Sequence, residues 1–362
     1  MAHLLSGSVI LETATGDVRR VYESDASRET IRDAIAVAHE GTLASAFVTV
    51  RLGSWGQTRL LVARGNALVP VPMPTAESAT VHDVRLDATR TSCEALISTG
   101  PRSSLGLLRV PVPHASPRDG DHPSGPPSTL EDLGLSSAWS AAFLGTSDEI
   151  VAVTGPAIGF SRLWSDPEAM RETVHPTLNL CRIGDEWEPE HGYSLATEWE
   201  ALDCLGLTVS ACRMPAEDAS SDRADWLAVI GVPRRHGQRG EALLVRKAPG
   251  AESLDVTPLT HIAELAPGRF MLDPERFGLN VEIVGPQRDG PAGGLCLVGT
   301  APATLSTGVV VYSFDGEHLG SVLEEQLVGN VHSFGFARGS VQVLGNDGLK
   351  AMAIERMGAA SK

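Results

Sequence analysis

The sequence predicts an all-β protein built from about six repeats of antiparallel strands. A short apolar strand that ends in glycine, then a turn and a second apolar strand, recurs six times along the 362 residues. Helical periodicity is nearly absent outside one short segment. Each interval between repeats has room for two further strands. Together these observations favour a succession of four-stranded sheets.

The glycines that end the first strand of each copy set the period of the repeat. They occur at positions 53, 100, 155, 231, 299 and 345, so the mean period is about 58 residues. Each copy combines strand length, β-branched residues and a glycine turn, which is the chemistry of a β-hairpin. The strand pairs are 46–53 with 58–64, 93–100 with 105–110, 149–155 with 159–164, 226–231 with 241–246, 295–299 with 308–314, and 341–345 with 348–354.

Two segments near the N-terminus lie outside these hairpins. Residues 8–13 form an apolar run typical of one additional strand. Residues 27–39 are the one helix candidate, because Ser27 can cap a helix on which Ile31, Ile35 and Ala38 share a face.

Four strands per repeat is the composition of a propeller blade, and nearly the whole chain resembles the β-propeller superfamily in this architecture. The resemblance implies a single domain over residues 1–362 with six four-stranded blades, the N-terminal strand completing the last blade and closing the ring. Five or seven blades stay open because the intervals of 76 and 68 residues after positions 155 and 231 can hide strands. A β-sandwich or two stacked β domains is the competing interpretation. Residues 113–128 and 214–225 are expected to be loop insertions, the first of them either a channel lid or a plain surface loop.

Composition and missing motifs narrow the choice of partners and cofactors. A formal net charge of −16 repels phosphate backbones and anionic lipid, so neither nucleic acid nor membrane is an expected partner. The N-terminus lacks the features of a signal peptide, which favours a cytoplasmic and, from its composition, bacterial protein. Phosphate-loop, dinucleotide-binding and zinc motifs are absent, so no cofactor or metal is expected. The odd number of irregularly spaced cysteines indicates buried thiols rather than disulfides: Cys93, Cys181, Cys204, Cys212 and Cys296.

Candidate site residues follow from the geometry of a propeller, in which the innermost strand of each blade lines a central channel. Residues that open these strands gather at one mouth of the channel. They are Arg32, Asp33, His82, Asp83, Trp139, Ser140, Asp203, Cys204, Asn280, His332 and Ser333. His82 and His332 stand at the same point of two similar segments, 80–86 and 330–336. These histidines, with Asp83 to orient one of them, are the predicted catalytic groups, because neutral imidazole is a general base.

The remaining candidates are predicted to bind the ligand. Trp139 would stack on it, and Asp203, Asn280 and Ser333 would contact it from other blades. Two loop residues on the same face complete the set: Trp55, and Arg235 in the cationic loop 234–239.

Two functions of different classes fit this pattern. One is a small-molecule site with acid–base chemistry and no organic cofactor, as in a lyase, isomerase or cyclase of bacterial specialised metabolism. The alternative is a protein–protein interaction scaffold without catalytic activity, in which the polar strand starts are only solvated.

Overall fold

Strands account for all the regular secondary structure in the described part of the computed structural model. The structure describes residues 2–5, 8–12, 18–23, 29–39, 42–52, 58–64, 67–71, 79–87, 89, 91–98, 104–112, 128–136, 138–145, 147–155, 177–183, 192–194, 208–214, 226–232, 240–248, 251–259, 278, 280–284, 294–299, 308–323, 331–337, 340–345 and 348–353. No helix within these ranges is long and apolar enough to cross a membrane.

The chain divides into two compact units, Met1–Ser136 and Ser137–Lys362. The first unit holds sheets 1 to 3, the first with three strands and the others with four. Sheet 1 is β1 (Ala2–Leu5), β2 (Ser8–Glu12) and β3 (Val18–Glu23). Sheet 2 is β4 (Glu29–His39), β5 (Thr42–Leu52), β6 (Thr58–Arg64) and β7 (Ala67–Pro70). Sheet 3 is β8 (Thr80–Leu86), β9 (Ser92–Ser98), β10 (Ser104–Pro111) and β11 (Thr129–Ser136).

The second unit holds sheets 4 to 7, of which the last has three strands and the others four. Sheet 4 is β12 (Ala138–Phe143), β13 (Glu149–Thr154), β14 (Thr177–Arg182) and β15 (Gly192–Ser194). Sheet 5 is β16 (Thr208–Arg213), β17 (Trp226–Val232), β18 (Glu241–Lys247) and β19 (Asp255–Leu259). Sheet 6 is β20 (Asn280–Val284), β21 (Leu295–Gly299), β22 (Gly308–Ser313) and β23 (His318–Leu323). Sheet 7 is β24 (Val331–Ala337), β25 (Ser340–Gly345) and β26 (Gly348–Ala353).

Every sheet is an antiparallel meander whose strands pair in chain order. Within the first unit β1 contacts β4 and β4 contacts β8, and within the second unit β12, β16, β20 and β24 contact one another in succession. Successive meanders whose first strands adjoin are the blades of a β-propeller, so the predicted architecture is confirmed.

Apolar clusters between successive sheets hold the blades together. Phe47 of sheet 2 belongs to one cluster with Ile97 of sheet 3. Ile230 of sheet 5 belongs to a second with residues of sheet 4, and the other face of sheet 5 packs around Tyr312 of sheet 6. Middle strands are therefore buried on both faces, as at all seven residues of β17. Each fully buried aliphatic or aromatic side chain contributes about 1.5–3 kcal/mol to folding.

Five of the six predicted hairpins are confirmed, and the third needs a correction. The first strand of that repeat is β13, but its second neighbour is β14, with Val151 opposite Leu180. The predicted partner, 159–164, lies outside the described residues and cannot pair beside β13, because β12 and β14 occupy both edges of that strand.

The helix predicted over 27–39 is wrong, because Glu29–His39 is the long first strand of sheet 2. It pairs with β5 along its whole length, with register shifts after Ile31 and Val37. The sequence carries β-branched residues at Thr30, Ile31, Ile35 and Val37, which favour strands. The helical spacing of the two isoleucines is also compatible with period two.

The ring closure predicted for residues 8–13 is also wrong. Ser8–Glu12 is the middle strand of sheet 1, paired with β1 on one edge and β3 on the other. A strand has only two edges, so it has none left for the last sheet. The described strands form seven sheets, against six predicted blades. Because both terminal sheets have three described strands, the number of blades stays a prediction, and so does the single domain.

Candidate functional site

A β-bulge interrupts the first strand of four sheets, each time at a residue chosen from the sequence as a candidate. The bulged residues are Arg32, His82, Trp139 and His332. In each case the residues on either side pair with two consecutive residues of the next strand, and the register places no residue directly opposite the bulged one. A bulge bends the strand and re-aims the side chain it carries, and bulges are frequent beside active sites.

His82 and His332 occupy equivalent positions, as the alignment of their segments predicts. His82 is bulged between Val81 and Asp83, and His332 between Val331 and Ser333. The two histidines belong to different compact units. Their meeting in one pocket stays a prediction.

The half-buried imidazole of His82 is held by a neighbouring strand. Its Nε2 lies 2.8 Å from Oγ of Ser98, and the donor at this contact is set by the tautomer of the ring. Ser98 ends β9, is only 7% exposed, and pairs with Thr80 of β8. A histidine and a serine at this distance have the reach of a base and the hydroxyl it can deprotonate.

Ser98 is the site residue that sequence reasoning missed. A signal was present, since Ser98 ends the strand just before the marker Gly100, and in an antiparallel hairpin this position lies opposite the start of the preceding strand. Finding it required the register between β8 and β9, which the bulge at His82 shifts by one residue.

Asp83 uses one carboxylate oxygen locally, because its Oδ1 accepts a hydrogen bond of 2.8 Å from the backbone N–H of Val84. This contact holds the carboxylate beside its own strand. The role predicted for Asp83, orienting a catalytic histidine, stays a prediction.

Sheet 3 also carries a ladder of alternating charges across all four strands. Arg85 Nε lies 2.8 Å from Glu94 Oε2, and Arg109 Nε lies 3.1 Å from Glu94 Oε1. Arg109 Nη1 then reaches Glu131 Oε2 at 2.6 Å. Burial lowers the pKa of Arg109, but hydrogen bonds with Glu131 and Glu94 outweigh it and raise that pKa above its ordinary value. Two cations and two carboxylates balance, so the ladder stiffens the sheet that carries His82.

Trp139 is buried, with 9% of its surface exposed. Its indole lies directly over Gly155, where a Cβ would overlap the ring. The neighbouring Ser140 is buried as well, at 5%. The role predicted for Trp139, stacking on a ligand, stays a prediction.

The other predicted site residues lie either in described strands or outside the described residues. Asn280 begins β20 opposite Gly299, and Ser333 lies in β24 opposite Leu344. Those outside the described residues are Trp55, Asp203, Cys204 and Arg235.

The described cysteines are buried free thiols, as predicted: Cys93, Cys181, Cys212 and Cys296. Burial raises the pKa of Cys181 and of Cys212 to about 12, and that of Cys296 still further. Thiols of this kind are poor nucleophiles. Among the described side chains, no three from His, Cys, Asp and Glu come together as a metal site.

Comparison with known proteins gives structural likenesses and no sequence family. No family model and no curated protein matches the chain. An α-L-arabinanase from Penicillium chrysogenum, solved with arabinobiose, is 8% identical with a TM-score of 0.46, over 90% of this chain and 94% of that one. The Dos1 propeller is 10% identical with a TM-score of 0.43, over 96% of this chain and 83% of that one. A structure from a study of two prolyl endopeptidases is 11% identical with a TM-score of 0.39, over 87% of this chain but only 39% of that one.

Proposed function

We propose that the chain binds a small polar molecule beside the start of β8 and that His82 exchanges a proton with it. The reaction class would be that of a lyase, isomerase or cyclase without an organic cofactor, in the cytoplasm. The observation that carries this proposal is the half-buried imidazole on a bulge, 2.8 Å from the Ser98 hydroxyl.

Several properties of His82 support a proton-transfer role. Imidazole changes its charge near neutral pH and serves as either base or acid. The bulge aims the ring away from the regular pleat, and the Ser98 contact fixes its orientation. The charge ladder links all four strands of the same sheet, and a well-connected support of this kind favours a fixed site geometry.

The proposal assigns supporting roles to residues from other blades. His332 would be the second proton-transfer group, and Asp83 would orient one of the two rings. The residues proposed to contact the ligand are Trp139, Asp203, Asn280, Ser333, Arg235 and Trp55.

An interaction scaffold is the competing function. Protein-docking faces usually combine an apolar centre with a polar rim. Among the described residues, only Leu130 is an exposed large hydrophobic side chain, at 37%. The half-buried imidazole of His82 and its contact with Ser98, rather than the described surface, favour the small-molecule hypothesis.

A thermal-shift screen with a broad metabolite set tests the proposal on the wild type and on His82→Gln, Ser98→Ala and Thr129→Ala. Thr129 is an exposed residue of the outer strand of the same sheet and serves as the matched control. We expect a ligand that raises the melting temperature of the wild type and the control, with the rise lost in His82→Gln and reduced in Ser98→Ala. A ligand that stabilises all four proteins equally would remove His82 from the site. A screen without any ligand, together with capture of a defined protein partner, would favour the scaffold.

A further inference from the structure

A group of charged residues closes one end of the interface between sheets 4 and 5. The centre of this interface is apolar, with Val151 and Val245 among its members. Side chains alternate between the two faces of a strand, so Glu149 lies on the same face as Val151, and Lys247 on the same face as Val245. By the same alternation Arg182 and Arg213 face the interface. These four residues, with Tyr193 and Trp226, are called the cationic rim below.

Register brings the members of the cationic rim together at one end of both sheets. In sheet 4, Glu149 is opposite Arg182. In sheet 5, Trp226 is opposite Arg213 on one side and Lys247 on the other. Directly opposed residues on neighbouring strands are in side-chain contact distance.

Cations outnumber carboxylates in this rim. Glu149 Oε2 lies 2.6 Å from Arg213 Nη2, and its Oε1 lies 3.6 Å from Arg182 Nη2. Lys247 Nζ lies 5.0 Å from the centre of the Tyr193 ring, a cation–π contact that brings no negative charge to it. Among the described residues of the cationic rim, one carboxylate thus faces three cations, an excess of two positive charges on a chain of net charge −16.

Two buried donors in the cationic rim have no hydrogen-bond partner among the described residues. They are Nε of Arg213 and Nε1 of Trp226, whose side chain is 3% exposed. The short contact between Arg213 and Glu149 is not aligned as a hydrogen bond, so Glu149 Oε2 also lacks one. Unpaired buried donors are costly, and native proteins rarely keep them without an acceptor.

We propose that the cationic rim binds a phosphate dianion, free or as a monoester. The excess of two positive charges matches the charge of the ligand, and a guanidinium presents its donors in the fork that oxyanions prefer. Arg213 Nε and Trp226 Nε1 would each donate to a phosphate oxygen, while Lys247 and Arg182 compensate the charge. The site is independent of His82, which belongs to the other compact unit.

Titration at constant ionic strength with inorganic phosphate, glycerol 3-phosphate and malonate tests this proposal. The readouts are the melting temperature and the indole N–H resonance that disappears in Trp226→Phe. We expect phosphate or its monoester to raise the melting temperature and to move that resonance, with malonate weaker. A stronger response to glycerol 3-phosphate than to inorganic phosphate would identify a monoester as the ligand.

Arg246→Gln is the matched control, because Arg246 precedes Lys247 in β18 but faces sheet 6, 3.6 Å from Asp315. Arg213→Gln should weaken phosphate binding by at least about tenfold while Arg246→Gln leaves it unchanged. Arg213→Gln leaves the Glu149 carboxylate without its nearest cation and can unfold the protein. In that case the double variant Glu149→Gln with Arg213→Gln is used to test phosphate binding instead.

Two outcomes would overturn the proposal. One is an indole resonance that stays in place up to millimolar phosphate, as expected if acidic residues of the chain itself, such as those in 184–191 and 215–225, supply the counter-charge. The other is equal phosphate binding by Arg213→Gln, Arg246→Gln and the wild type, which would indicate adventitious binding elsewhere on the surface.

Discussion

Replacing Gly231 by alanine tests how sheets 5 and 6 are joined. Gly231 lies opposite Thr208, and a Cβ on it would overlap the backbone carbonyl of Gly278. That carbonyl accepts a hydrogen bond of 2.9 Å from Thr208 Oγ1, and the Gly278 N–H donates to Gly299 O at 3.1 Å. The methyl group therefore cannot be accommodated without moving a segment that is bonded to both sheets.

The loss of folding stability in Gly231→Ala follows from this geometry. Forcing a methyl group into a filled site costs about 1–3 kcal/mol, and leaving a buried carbonyl without its donor costs about 1–3 kcal/mol. We expect Gly231→Ala to lower the free energy of unfolding by about 2–6 kcal/mol. The control is Gly145→Ala, since Gly145 has a φ of +62° but nothing within 4 Å of a new Cβ. That change carries only the left-handed backbone penalty of about 1–2 kcal/mol, partly offset by a stiffer unfolded chain.

Urea unfolding followed by tryptophan fluorescence measures both variants. A double-mutant cycle with Thr208→Val adds a second check, because Gly231→Ala and Thr208→Val remove the same hydrogen bond. Their joint cost should be smaller than the sum of the single costs. If Gly231→Ala is no more destabilising than Gly145→Ala, or if the two costs add fully, the Gly278 carbonyl does not join the two sheets in the way described.

Three further predictions concern other parts of the chain. Glu94→Gln removes the buried carboxylate of the sheet 3 ladder, so the urea midpoint should fall by an amount equivalent to about 2 kcal/mol. Glu131→Gln, at the exposed end of the ladder, should leave the urea midpoint nearly unchanged. Burial by itself raises the pKa of Asp87, but hydrogen bonds from Ser92, Thr89 and Thr91 outweigh it and lower that pKa below its ordinary value. A lowered pKa means that the ionised Asp87 stabilises the fold. This stabilisation is complete above the pKa of Asp87 in the unfolded chain and is lost as the pH falls through its pKa in the folded protein. Asp87→Asn should therefore flatten the dependence of stability on pH below about pH 4. Thiol titration with an aromatic disulfide at pH 8 should leave the four described cysteines unmodified in the native protein and modify them in urea; fast native reaction of any of them would contradict their burial.

The repeat could be predicted because glycine and strand composition are local properties of the sequence. The structure adds the reason for some marker glycines. Gly155 makes room for the Trp139 ring, Gly231 for the Gly278 carbonyl, and Gly299 accepts the Gly278 N–H. These are close approaches between distant parts of the chain, so the sequence can show the positions of the glycines but not their contacts.

The errors have physical causes of the same kind. A segment with isoleucines four apart fits a helix and a strand equally, and pairing with β5 decides the outcome for residues 29–39. In the third repeat, the third strand is Thr177–Arg182, far beyond the predicted one, because loop length between antiparallel strands is weakly limited by chain entropy. Ser98 escaped notice because its contact with His82 depends on a one-residue register shift.

The polar groups at the starts of the first strands make different contacts in different sheets, and these contacts indicate where a ligand can bind. Beside β16 and β20 the register is regular, and Gly278 bonds to Thr208 on one side and Gly299 on the other. A second link, from the Ile283 N–H to Ser210 Oγ at 3.0 Å, joins the same two strands. Polar groups at these two starts are thus used to join sheets 5 and 6. At β8 the strand instead bulges, and it carries a half-buried imidazole that contacts the Ser98 hydroxyl. Because an imidazole can take up or release a proton near neutral pH, the start of β8 is the better place to look for chemistry than the starts of β16 and β20.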